Sequence, residues 1–182
     1  SATSVTFVDG RTLRFSLDIT NTEGTFNYSL ADGVMLDLQG SGNQAHAGSF
    51  HVDHTGPQVV AESPDSNAPF SSIDLTFNET LDPDSVSTAD IVSFTGPGGA
   101  NLLSQISSVS VVSGNILRVN FGIQYAEGDY SLVLSPTLTD AVGNLMNQDG
   151  NATNGQADSD GYTAVVHINS VDLTAPVVTA PA

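Results

Sequence analysis

Along most of the chain apolar and polar residues alternate with a period of two, the period at which successive side chains point to opposite faces of a β-strand. Ile73, Leu75 and Phe77 alternate with Ser72, Asp74 and Thr76; Leu117, Val119 and Phe121 with Arg118 and Asn120; Tyr130, Leu132 and Leu134 with Ser131 and Val133. Further runs at 58–62, 90–95, 106–112 and 162–168 bring the predicted strands between residues 57 and 175 to about seven. Turn sequences separate them: GPGG at 96–99, SGN at 113–115 and EGD at 127–129, each rich in residues that tolerate tight or positive-φ backbone. Helical periodicity is nearly absent. One turn is expected near Ser85 to Asp90, where Ser87 or Thr88 is placed to cap it.

The pattern also repeats. VDGRTLRFSLDITNTEGTFNYSL, Val8 to Leu30, lies on VSGNILRVNFGIQYAEGDYSLVL, Val112 to Leu134, at a constant offset of 104 residues with eight identities and no gap. Gly10/Gly114, Leu13/Leu117, Arg14/Arg118, Glu23/Glu127 and Gly24/Gly128 are among them. His51 and His167 fall on matching final strands, each followed by an Asp-x-Thr-x-Pro junction, at Asp53–Pro57 and Asp172–Pro176, so one period is 119 residues. Residues 1–56 therefore correspond to the second half of a unit, 57–175 to a complete unit, and 176–182 to the first strand of a following unit or a tail. About seven short strands per unit predict an all-β, Ig-like Greek-key β-sandwich, present as one half-unit plus one complete unit of a tandem repeat.

Charge narrows the partners. Twenty Asp and Glu stand against three arginines and no lysine, for a formal net charge of −17. Binding to nucleic acid needs clustered Lys and Arg, so it is excluded, and an anionic membrane surface repels such a chain. No apolar run is long enough for membrane insertion, and any secretion signal is expected upstream of Ser1. Self-repulsion of this size weakens a compact fold unless cations neutralise it. With no cysteine, disulfides, zinc–thiolate sites and thiol nucleophiles are all absent.

IDLTFNETLDPDSVSTADI, Ile73 to Ile91, followed by GDYSLVLSPTLTDAVGNLM, Gly128 to Met146, resembles the bacterial Ig-like domains strung through surface-layer proteins, large adhesins and other giant extracellular proteins. The likeness covers nearly all of 57–175 and, in its second half, 1–56. It implies an extracellular or cell-surface location and a shared scaffold more than a shared activity.

Candidate chemistry concentrates in DAVGNLMNQDGNATNGQADSDGY, residues 140–162, a glycine-punctuated loop that carries Asp140, Asn144, Asp149, Asn151, Asp158 and Asp160 and no basic residue. Ca²⁺ takes six to eight oxygen ligands from carboxylates, amide side chains, backbone carbonyls and water, and this composition suits it. The competing expectation is a solvated acidic loop. NQDGNATNG lacks the bidentate glutamate of an EF-hand. At the junctions, Asp53 and Asp172 sit just before a proline that opens the next unit, similar to linkers of calcium-rigidified adhesin arrays; a rigid proline linker with a capping aspartate is equally compatible. Glu79, Asp82 and Asp84 in ETLDPD read as turn residues around Pro83. The half-unit retains only Asp32 and Asp37 in its counterpart loop, and no ion site is carried over there. Of the four histidines, His51 and His167 match as strand residues of the repeat, and His46 and His54 flank loops without the carboxylate-plus-His spacing of a transition-metal site.

Hydrolase and nucleotide-binding signatures are missing: no Gly-x-Ser-x-Gly, no His-Glu-x-x-His, no phosphate-cradling Gly-rich loop. The reading is a non-enzymatic extracellular structural or adhesive module whose expected partners are other copies of itself or neighbouring Ig-like repeats, and whose expected ligand is a cell-surface protein or glycan. The alternative is a carbohydrate- or protein-binding accessory domain of a secreted hydrolase. For the half-unit, one expectation is that the tail APVVTAPA, Ala175 to Ala182, completes the next chain's half-unit in a head-to-tail fibre or surface layer; the other is a unit divided by the limits of the sequence.

Overall fold

In the computed structural model, residues 2–20, 22–64 and 68–169 are described, and they divide into two compact units, Ser1–His54 and Thr55–Ala182. Among the described residues there is no α-helix, and no helix is long and apolar enough to cross a membrane.

The second unit is an all-β Ig-like sandwich. Its strands are β5 (Val59–Ser63), β6 (Phe70–Phe77), β7 (Ile91–Gly96), β8 (Ala100–Asn101), β9 (Ile106–Ser113), β10 (Ile116–Gln124), β11 (Gly128–Leu134) and β12 (Tyr162–Ile168). One antiparallel sheet has the order β5-β6-β10-β9 and the other β12-β11-β7-β8. The chain changes sheet between β6 and β7, between β8 and β9 and between β10 and β11, which is the Greek-key path. All seven predicted strands are present. The eighth, β8, holds two residues, too few to carry an alternation.

Alternation explains why these segments are strands and which face each buries. On β6 the pattern runs buried at Phe70, Ile73, Leu75 and Phe77; β10 buries Leu117, Val119 and Phe121; β7 buries Ile91 and Phe94; β11 buries Tyr130, Leu132 and Leu134; β12 buries Ala164, Val166 and Ile168. Leu81, Leu138 and Met146 enter the same core from loops. At one end the aromatics interlock: the Phe70 ring meets Phe121 and Tyr130 edge-on at 5.6 and 5.2 Å between centroids, and Phe94 lies 4.6 Å from Phe121. Each such side chain contributes about 1.5–3 kcal/mol by leaving water. The Tyr130 hydroxyl donates to the Ala126 carbonyl at 2.9 Å, so the one polar atom carried into that cluster is satisfied.

Edges and turns are managed by carboxylates. β12 is an edge strand, and Glu62 on β5 of the opposite sheet accepts from the Val165 N–H at 3.3 Å and from the Tyr162 hydroxyl at 3.0 Å. Burial, and then this bond to an anion, push the Tyr162 phenol up. The expected turn is two 3₁₀ turns, Pro83–Ser85 and Thr88–Asp90. Asp82 caps the first, accepting from the Asp84 N–H at 3.0 Å. Ser87 caps the second in a reciprocal capping box with Asp90. Asp90 also accepts from Thr137 at 2.6 Å, pinning the turn to the segment after β11.

The first unit comprises β1 (Ser4–Asp9), β2 (Thr12–Ser16), β3 (Gly24–Leu30) and β4 (His46–Val52), arranged as two antiparallel ribbons, β1-β2 and β3-β4. At the 104-residue offset, β3 and β11 coincide end to end, and β2 and β10 begin at equivalent residues. The ribbons thus occupy the places of β9–β10 and β11–β12. In β10, pairing with β6 extends as far as Gln124 opposite Phe70; β2, with no such neighbour among the described residues, stops at Ser16.

Candidate functional site

Two networks form in the loop between β11 and β12, and they use the predicted ligands differently. In the first, Asp140 is 2 % exposed. Its Oδ1 accepts from the backbone N–H groups of Val142, Gly143 and Asn144 at 2.8, 2.7 and 2.9 Å, and its Oδ2 accepts from Asn144 Nδ2 at 2.8 Å. Gly143 takes φ +97°, a backbone state that a side chain would strain. Asp140 and Asn144, predicted as ligands, are therefore brought together as a turn whose donors converge on one carboxylate. A carboxylate oxygen of Glu79, which sequence reasoning assigned to a turn alone, lies within 4.8 Å of one on Asp140.

The second network joins Asp149, Asn151 and Asp160. Asp149 accepts from the Asn151 backbone at 3.0 Å and from its Nδ2 at 2.7 Å. Asn151 Nδ2 also reaches Gln156 Oε1 at 2.6 Å, while its Oδ1 accepts from Thr153 N–H at 2.6 Å. Asp160 has no exposed surface and accepts from Gln156 N–H at 2.7 Å and Asp149 N–H at 3.4 Å. The expectation of a solvated loop fails for Asp160. The hydrogen bond from the Asn151 backbone, opposed by a smaller burial effect, holds the Asp149 carboxyl below the ordinary 3.8.

Among the described residues, Asn147 carries the one buried side-chain polar atom without a hydrogen-bond partner. It is 1 % exposed, and its Nδ2 donates to Asn151 O at 2.8 Å and Asn154 Oδ1 at 3.0 Å. Two acceptors fix that orientation, leaving Oδ1 as a buried acceptor without a partner among the described residues. Such an orphan costs roughly 1–3 kcal/mol unless something else serves it.

Asp158 is exposed and stands outside both networks; Asp53 closes the first unit, half-buried; Asp172 lies outside the described residues. In the half-unit, Asp37 accepts from Gln39 and Ser41 N–H, each at 2.8 Å, as a turn residue. Of the histidines, His167 pairs with Asp129 and His54 with Glu23.

Taken with the sheet order, a carboxylate-organised loop above a two-sheet core defines an Ig-like structural domain. The sequence model of the bacterial Ig-like domain matches residues 53–170, and the chain belongs to that family. No curated protein and no solved structure matches the chain. Domains of this family are non-catalytic and typically serve as structural or adhesion modules.

Proposed function

We propose that the chain is a length of a tandem Ig-like array on the outside of a bacterial cell, a structural or adhesive element whose neighbours are further Ig-like repeats and whose complete unit is stiffened by Ca²⁺. The observation that carries the structural reading is how carboxylates are used. Asp82, Asp90, Asp140 and Asp160 each bind backbone N–H groups or a hydroxyl of a turn, so they build the scaffold and none is held apart as a reacting group.

The calcium part rests on chemistry in the same loop. Asp149, Asn151 and Asp160 supply hard oxygen donors there, the buried Asn147 Oδ1 accepts no hydrogen bond from the described residues, and the sole arginine of the second unit, Arg118, is already engaged by Asp74 at 2.7 Å. A divalent ion would neutralise buried carboxylate charge and occupy the orphan oxygen.

Calorimetric melting of the full chain in EDTA and in millimolar Ca²⁺ tests this. A ligand that binds only the folded state adds about 2.7 kcal/mol at a hundredfold excess over Kd, so the transition of the second unit is expected to move up by several degrees. Identical melts would remove calcium from the account and leave the scaffold standing.

A further inference from the structure

The first unit contains a groove of 640 Å³ between its two ribbons, lined by Phe15, Leu17, Phe26, Tyr28, Leu30 and Phe50 among others. Phe15, Leu17 and Tyr28 are 46, 44 and 47 % exposed, whereas the residues at the same repeat positions, Val119, Phe121 and Leu132, are 5 % exposed or less. The complete unit shows what makes that difference. There β10 is bonded along one side by β6, and β11 by β7. In the first unit the corresponding edges of β2 and β3 have no strand beside them among the described residues.

A charge marks the register. Arg118 on β10 sits directly opposite Asp74 on β6 and grips it through Nε and Nη2, both at 2.7 Å. The flanking cross-strand pairs are Leu117 with Leu75 and Val119 with Ile73. Arg14 is the repeat equivalent of Arg118; it is exposed on β2 and has no carboxylate partner among the described residues. Leu13 and Phe15 stand on either side of it, where Leu117 and Val119 stand around Arg118.

We infer that this groove is an acceptor seat for one extended strand of the β6 kind: antiparallel to β2, with large apolar residues at alternate positions facing the groove and an aspartate or glutamate opposite Arg14. Such a strand is supplied by the first half of an Ig-like unit. It restores the sheet's hydrogen bonds, covers the aromatic face and pairs the arginine bidentately. The two other occupants fit worse. The tail Ala175–Ala182 contains no carboxylate and matches β5, which in the complete unit pairs with β6 and not with β10. A folded second copy holds its own β6 between β5 and β10 and has none to lend. The inference stands on the groove and the repeat, independently of the calcium reading.

The test uses the full chain and a fluorescent peptide with the sequence of residues 68–78, APFSSIDLTFN, followed by anisotropy. Saturable binding is expected, weakened roughly tenfold or more by Asp74→Arg in the peptide or by Arg14→Glu in the chain, and regained when the two altered partners meet, since juxtaposed like charges are costly and the swap restores attraction. Arg14 is a surface residue, so Arg14→Glu leaves the fold intact; an unchanged melting curve checks this. Absence of binding, binding indifferent to the charge swap, preferential binding of a tail peptide APVVTAPA, or an Arg14-dependent dimer that excludes the peptide would each overturn the inference.

Discussion

At the scale of single residues, most polar side chains in the candidate site act on the backbone nearest them, and that sets what a substitution does. Asp149 is an example: its carboxyl is lowered by the Asn151 N–H, so its folded pKa lies below its unfolded one. A depressed carboxylate contributes stability above the unfolded value and loses it as pH falls through the folded one. Carbon-detected NMR titration is expected to place the Asp149 midpoint below 3.8, and Asp149→Asn is expected to flatten the acid limb of the stability profile; a midpoint at or above the ordinary value would contradict the network. Gly56 makes a second case. A Cβ there would lie 1.7 Å from the Leu145 carbonyl oxygen, which is backbone and cannot swing aside, so Gly56→Ala should cost ~2–3 kcal/mol in denaturant unfolding. The sequence gives no sign of that contact, because Leu145 is far along the chain, and the same holds for the approach of Glu79 to Asp140. What was legible was the concentration of carboxylates and amides in the 140–162 loop. That Asp160 would be buried and Asp158 exposed depends on how the loop folds over the core, which composition does not encode.

At the scale of elements, the period of two located β6, β10 and β11, because there alternate residues are buried in the core, and the other long strands of the complete unit were legible as apolar runs. The cap at Ser87, one of the two residues placed for it, was legible because capping is a local pattern; the reciprocal bond from Asp90 that makes it a capping box was not predicted. Invisible to such reasoning were β8, whose two residues pair with Thr95 and Gly96, and the inter-sheet tie from Glu62 to Val165 and Tyr162. Partner strands also decide how firmly an element is held. β6, β10, β11 and β7 each have neighbours on both sides, whereas the ribbons β1-β2 and β3-β4 have one each among the described residues. Two-stranded ribbons are marginal in water. Hydrogen exchange is therefore expected to show protection factors at least a hundredfold higher in β6 and β10 than in β1 and β2, the difference reflecting local opening; equal protection would mean that the first unit is held by something other than these ribbons. Phe94→Ala, which empties the centre of the aromatic cluster, should cost ~3–5 kcal/mol in the second unit and leave exchange in β1–β4 unaltered.

At the scale of the whole molecule, two compact units share a net charge of −17 and three arginines. One arginine, Arg118, fixes a register within a sheet, and its repeat mate Arg14 offers the same grip at an open edge. The central claim is that the complete unit is a cooperative structural element, and pulling the full chain from its two ends in an optical trap tests it most directly. Thr55 to Asn169 should yield in one abrupt step, lengthening by close to 400 Å less the folded span, given ~3.6 Å per extended residue, and at a higher force in millimolar Ca²⁺ than in EDTA. Gradual lengthening at low force with no step, or several small steps, would contradict it.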